Sequence, residues 1–178
     1  DILQLAFNHL IARHESLRTA FKFSAAGKPI QAIHPEQKIA LPIADLGSLP
    51  PLDKVKEARR LAGEEGALAF QLSESPLLRV KLIRFSQDEH WLVIVIHHLV
   101  ADGWSVKILL EELGRIYTAY SRGETPDLAP LPVQFADHAL WERQHLQGQW
   151  DRLVSYWKRR LKGNLTGLKL PLDRPRPE

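Results

Sequence analysis

HWLVIVIHHLVADGWSVKILLEELGRIYTAYSRG, residues 90–123, is the stretch whose reading decides the fold. Its first part, HWLVIVIHH (90–98), is aliphatic and β-branched, with no polar alternation at its centre. Such a run predicts a strand apolar on both faces, lying inside a sheet that is covered on both sides. The last part sets Val106, Leu109, Leu110, Leu113, Tyr117 and Tyr120 at helical spacing. That helix is expected to begin near Ser105 and to end at Gly123. VADG is the turn between them, with Gly103 expected at a bend where a side chain would clash. Asp102 either caps the helix or folds back onto an arginine.

The two histidines need separate places. Adjacent residues of a strand point to opposite faces, so a strand persisting through residue 98 would keep His97 and His98 from one centre. A shared metal is therefore not expected, and no other His/Asp/Glu set shows metal-ligand spacing. One histidine should face a wall and the other a cleft, beside the positive end of the following helix. A histidine there titrates near neutrality, with an unperturbed pKa of about 6.5. It is suited to take a proton from an attacking nucleophile.

Working outward, residues 2–13 repeat apolar residues at helical spacing, while LRTAFKF (17–23) alternates as a strand does. SAAGK turns the chain into a second short strand, PIQAIH. Residues 35–52, rich in Pro and Gly, read as a connector. DKVKEARRLAGEEGAL (53–68) reads as a charged helix that Asp53 could cap. PLLRVKLIRF (76–85) is a strand, turned by SQDE into the histidine strand. After the proline-rich loop ETPDLAPLPVQ come two more helices. The second carries Trp150, Leu153, Val154, Trp157 and Leu161 as a stripe, and Trp141, Trp150 and Trp157 read as core aromatics. LKLPLDRPRPE (168–178) is expected to be extended.

With 178 residues the chain suits roughly one domain on the usual ~150-residue scale. Its 44% apolar and 25% charged residues are ordinary for a globular protein. No apolar run approaches the ~18–20 residues that span a bilayer, so no membrane partner is expected. The start, DILQLAFNHL, lacks the basic region of a signal peptide. Cysteine is absent, which removes disulfides and thiolate chemistry and fits a cytoplasmic protein. The net charge is +3, and the cationic cluster WKRRLKG (157–163) is either a solvated helix end or a docking surface for an acidic partner. No nucleic-acid motif accompanies it. The chain begins at Asp1 and holds no Met, so it reads as a piece of something longer, or as a chain that processing or tag removal has trimmed.

HHLVADGWS (97–105) resembles the HHxxxDG signature of condensation domains from nonribosomal peptide synthetases. RHESLRTAF (13–21), SPLLRVKL (75–82), VQFADHALWERQ (133–144), YWKRRLKG and LPLDRPRP resemble further stretches of that family, in order and spacing. Gln71 stands where the family commonly has aspartate. The resemblance implies an α/β fold like chloramphenicol acetyltransferase, a mixed sheet flanked by helices, in two lobes with the active site in a tunnel between them. Residues 1–178 would be the N-terminal lobe, without the family's earliest motif and without the C-terminal lobe.

The implied activity is acyl transfer: the amine of a downstream carrier-bound aminoacyl group attacks an upstream carrier-bound acyl or peptidyl thioester. His98 would be the catalytic histidine, with the Gly103 N–H as a donor to the oxyanion. His97 would be a wall residue, and Asp102 would hold the loop through an arginine: Arg13, slightly favoured, Arg18, or one in the C-terminal lobe. Trp104 and Ser105 would line the tunnel. His14 and Glu15 read as structural. No metal or soluble cofactor is expected, because the substrates ride on phosphopantetheine arms. The expected partners are upstream and downstream peptidyl carrier domains, the C-terminal lobe and an adenylation domain. Two alternatives stand beside this reading: an acyltransferase of the same superfamily using a CoA thioester, and a non-catalytic lobe that docks carrier domains.

Overall fold

The structure, a computed structural model, describes residues 1–163, 167, 171, 173 and 174. Helix α1, Ile2–Arg13, buries Ala6, Phe7, Leu10 and Ile11. These positions fall at i, i+1, i+4 and i+5, one stripe of a helix. His14 is extended (φ −100°, ψ 106°) and ends it. A short 3-10 turn, Glu15–Arg18, follows, tied by the Thr19 hydroxyl to the Glu15 carbonyl at 2.7 Å. The predicted strand from residue 17 therefore starts two residues late: β1 is Thr19–Phe23. It pairs antiparallel with β2, Pro29–Ile33, through a turn in which Gly27 takes a positive φ of 70°.

A separate three-stranded sheet carries the histidine stretch. Its strands are β3 (Ile43–Asp45), β4 (Leu78–Arg84) and β5 (His90–Ile96), in the order β3-β4-β5. β3 runs parallel to β4 and β5 antiparallel to it, so the sheet is mixed. β3 lies inside the stretch read as a connector. Three residues are too few to show a period, and the strand exists only because β4 supplies its partners.

The sheet explains the composition of its strands. Leu78 and Val80 of β4 join Phe7, Leu10, Ile11 and Leu17, together with Leu109, Leu113 and Ile116 of helix α3 (Gly103–Ser121), in the main core. Ile83 and Phe85 join Leu46 and Ala58 in a second, smaller core. That second core lies under helix α2, Pro51–Ala67. Successive residues of β5 divide the same way: Leu92, Ile94 and Ile96 against the first core, Trp91 and Val93 against the second. β5 is thus apolar on both faces because each face has its own core, as expected. Its position differs from the expectation: among the described residues it pairs only with β4 and is an edge strand.

α2 starts at Pro51, with Pro50 as its cap residue, so Asp53 lies in the first turn and is not the cap. Proline suits the first helical position because its missing N–H has no helical partner to lose. On the far side of the sheet from α1, Glu65 of α2 pairs with Arg79 (3.3 Å) and Lys81 (2.5 Å) of β4.

The contacts divide the chain into two units, 1–137 and 138–178. Helix α4, Phe135–Gln147, begins at the end of the first; helix α5, Trp150–Arg160, belongs to the second. The predicted stripe of α5 lines one apolar groove with Lys158. Trp141, Trp150 and Trp157 are not core residues, however: they are 58%, 59% and 57% exposed. Trp141 instead stacks on His145, one helical turn away, with ring centres 5.2 Å apart. Lys158, Arg159 and Arg160 end α5, where cations suit the helix dipole. The tail 168–178, expected to be extended, falls for the most part outside the described residues. No helix among the described residues is long and apolar enough to cross a membrane.

Candidate functional site

β5 stops at Ile96, so both histidines lie in the turn beyond it and strand alternation does not separate them. The ladder makes one last bond, from the His97 N–H to the Leu77 carbonyl (3.0 Å). The chain then turns, with the Val100 N–H donating to the His97 carbonyl at 3.0 Å. His97 packs edge-on against Phe70, and its Nδ1 accepts from the Leu99 N–H at 3.1 Å. It is half-buried. His98 is exposed.

His98 lies on two cavities. One, of about 300 Å³, is bounded by His14 and Ser16 after α1, by the 98–102 turn, by Ser105 and Ile108 of α3, and by the loop 131–135. The other, of about 580 Å³, runs between β5 and α3 over Leu92, Ile94, Val106 and Leu113. His98, Ala101, Asp102 and Leu109 line both. The turn that carries His98 is therefore the partition between an apolar chamber and a more polar one.

Asp102 resolves the choice left open by the sequence. It is the cap residue of α3, with extended backbone (φ −116°, ψ −175°). Its Oδ1 accepts from the Ser105 hydroxyl (2.7 Å) and the Ser105 N–H (2.8 Å). Those bonds, the hydroxyl first, hold its carboxyl below the usual carboxylate range. Helix α3 accordingly starts at Gly103, two residues before the expected Ser105.

The expected arginine partner is a correction. Arg13 donates through Nε to both oxygens of Glu112, at 3.1 and 3.2 Å, and Arg18 donates to the His34 carbonyl and to Glu15 Oε1 (3.3 Å). The reason is register. His9 meets Tyr120 and Arg13 meets Glu112, so α1 and α3 run antiparallel. Glu112 lies about 15 Å along α3 from Asp102 at the helical rise, out of reach of an arginine held there.

Glu112 also takes the His14 Nε2 at 2.6 Å. Burial alone would raise its carboxyl, but the hydrogen bonds from His14 and Arg13 outweigh burial and hold it below the usual range. Gln134 closes the cluster: its amide donates to the Arg13 carbonyl at 3.0 Å and accepts from the Glu15 N–H at 3.1 Å. Sequence reasoning missed Glu112, Gln134 and the exposure of His14 to a cavity. One signal existed for Glu112: it is a carboxylate on the stripe of Leu109, Leu113 and Ile116, where an apolar residue would be ordinary.

Two further expectations change. Trp104 is 77% exposed and lines neither cavity, whereas Ser105 lines the smaller one. A Cβ on Gly103 would meet nothing within 4 Å, and its φ is not positive, so no clash requires glycine there. As the first residue of α3 it offers an N–H with no acceptor among the described residues, in the wall of the larger cavity.

The family model described as "Condensation domain" matches residues 1–178. The chain belongs to the condensation-domain family. It is 45% identical over 169 residues to a linear gramicidin synthase of Brevibacillus parabrevis, covering 94% of this chain and 2% of that protein. It is 39% identical over 173 residues to phosphinothricin tripeptide synthetase PhsC of Streptomyces viridochromogenes, covering 97% and 16%. Among solved structures it is similar to the X-domain from teicoplanin biosynthesis (TM-score 0.80, 32% identity, 99% of this chain and 38% of that one). The first condensation domain of the CDA synthetase shares the fold (TM-score 0.75, 22% identity, 88% and 40%). The condensation-domain chain thus spans a small part of the curated relatives it matches and about two fifths of these structures. Its fold is the chloramphenicol acetyltransferase-like α/β fold of condensation domains. In nonribosomal peptide synthetases such domains act on substrates carried by phosphopantetheine.

Proposed function

We propose that this chain is the N-terminal lobe of a condensation domain and that His98 serves amide-bond formation between two carrier-borne substrates. The observation that carries this is the place of His98, exposed at the end of β5 on the partition between two cavities. Two substrates entering from opposite sides would meet at that partition. The amine nitrogen of the downstream aminoacyl group attacks the thioester carbonyl carbon of the upstream acyl group. The proton leaving nitrogen passes to His98. The carbonyl electron pair moves onto oxygen, and in this reading the Gly103 N–H at the start of α3 donates to it. Collapse of the tetrahedral state breaks the C–S bond, and the proton leaves with the thiolate as the free carrier thiol. Asp102 fixes the helix start that presents this N–H. Upstream and downstream carrier domains, a C-terminal lobe and an adenylation domain are the partners of this reading.

The test is a condensation assay on the full-length protein with loaded carriers, comparing wild type with His98→Ala. Loss of roughly a hundredfold or more with folding intact is expected, on the scale of a general base. Equal turnover would leave the turn an architectural role only. Acyl transfer from a soluble CoA thioester to a small amine would favour the alternative acyltransferase. The 178-residue lobe alone is expected to be inactive, since an open site admits water. A docking role is a second reading, favoured by the similarity to an X-domain solved in complex with OxyB. It predicts carrier binding that survives His98→Ala in a protein that never turns over.

A further inference from the structure

His14 lines the same cavity as His98, although it belongs to the RHESLRTAF stretch and reads there as structural. We infer that His14 is a positioning residue of this cavity, accepting through Nδ1 a hydrogen bond from an N–H group of a carrier-borne substrate; this rests on the condensation reading above.

The geometry fixes which ring nitrogen meets the carboxylate. Nε2 lies 2.6 Å from Glu112 Oε2. An ionised carboxylate only accepts, so Nε2 carries the hydrogen, and the tautomer with its one proton there presents a lone pair at Nδ1. Nδ1 has no partner among the described residues. The ring is held from behind, because Arg13 fixes the same carboxylate and both Glu112 and His14 are largely buried. The backbone is held as well: the His14 N–H donates to the Leu10 carbonyl, and the His14 carbonyl accepts from the Leu17 N–H, each at 3.0 Å. A carboxylate behind an imidazole fixes tautomer and orientation in just this way at metal sites.

The cavity leaves few other polar groups free. Gln134 is committed to the Arg13 carbonyl and the Glu15 N–H, and Ser105 to Asp102. His14, Ser16, His98 and the second carboxylate oxygen of Asp102 remain, on walls otherwise apolar through Leu99, Ile108, Leu131 and Val133. A fixed lone pair on an apolar wall selects an N–H donor, since an unpaired polar group there is costly. Two donors suit it: an amide of a pantetheine arm, or the amine of the acceptor aminoacyl group.

Kinetics of the full-length protein test this with His14→Gln, His14→Asn and His14→Phe, measuring KM and kcat for each loaded carrier. Gln reaches the Nε2 position and keeps the Glu112 bond; Asn places its amide near Nδ1. The expected result is a KM for one carrier raised roughly three- to tenfold in Gln and Phe, the range of one neutral hydrogen bond, with kcat within about twofold. Asn is expected to restore KM while melting earlier than Gln. A defect on the donor carrier, or one that vanishes when the acceptor is supplied as an aminoacyl ethyl thioester, identifies the pantetheine amide. A defect that persists with the ethyl thioester identifies the amine. Wild-type KM in Gln and Phe would overturn the inference, and so would a defect confined to Asn, which would mean that only the Glu112 bond matters. Failure of the wild type to form an amide would instead overturn the condensation reading itself.

Discussion

The pairing of Arg13 with Glu112 rather than Asp102 yields a quantitative prediction. Glu112 receives Arg13 Nε at 3.1 and 3.2 Å and His14 Nε2 at 2.6 Å. The Arg13 and Glu112 side chains are 14% and 13% exposed. A hydrogen bond to a charged group contributes roughly 1.5–3 kcal/mol, and the residual exposure here favours the low end. A double-mutant cycle of Arg13→Gln with Glu112→Gln should therefore give a coupling of about 1–2 kcal/mol. The same cycle of Arg13→Gln with Asp102→Asn should show no coupling beyond its error. Urea unfolding of this chain, followed by far-UV circular dichroism and by the fluorescence of half-buried Trp91, measures both. Coupling to Asp102 in place of Glu112 would refute the antiparallel register of α1 on α3 from which the argument starts.

The same cluster predicts an acid limb. Glu112 is held below its ordinary value of 4.5 in the folded chain, so its contribution is fully present above that pH and is lost as pH falls through the lower folded value. Glu112→Gln should flatten this limb in urea midpoints measured from neutral to acid pH. Gly103→Ala should fold with stability unchanged or raised by under ~1 kcal/mol, because alanine fits a helical position with open space. Gly103→Pro should also fold, since proline suits the first helical position and Asp102 is already extended before it. Lacking the N–H, it should lose roughly 100- to 1000-fold in turnover by the full-length protein; normal turnover would remove Gly103 from the reaction. Ile116→Ala, at a fully buried position of the main core, should cost about 2–5 kcal/mol in urea unfolding.

Much of the site was legible from neighbouring residues. The run 90–96 announced a strand with apolar faces, the spacing from Val106 to Tyr120 a helix and Gly123 its end, while Asp102 stood open between a cap and an arginine partner. Strand alternation does not separate the two histidines: β5 stops at Ile96 and both lie in the turn beyond it. Trp104 failed as a lining residue because one position along the start of a helix separates the cavity from solvent. The core reading of Trp141, Trp150 and Trp157 failed because an apolar stripe shows what a helix could bury, not what is there to bury it.

What the sequence by itself determined about this chain is local: that a strand fills 90–96, that a helix follows it and stops at Gly123, and that the two histidines follow the buried run. Periodicity, capping and turn chemistry act over a few residues, so they are written in consecutive letters. The tertiary structure alone decided that β3 exists, that β5 divides its side chains between two cores, and that His14 and His98 share a cavity. It also decided that Arg13 belongs to Glu112. Each of these depends on the register of one element against a distant one, and burying the stripes of α1 and α3 against the sheet sets that register only after both have formed.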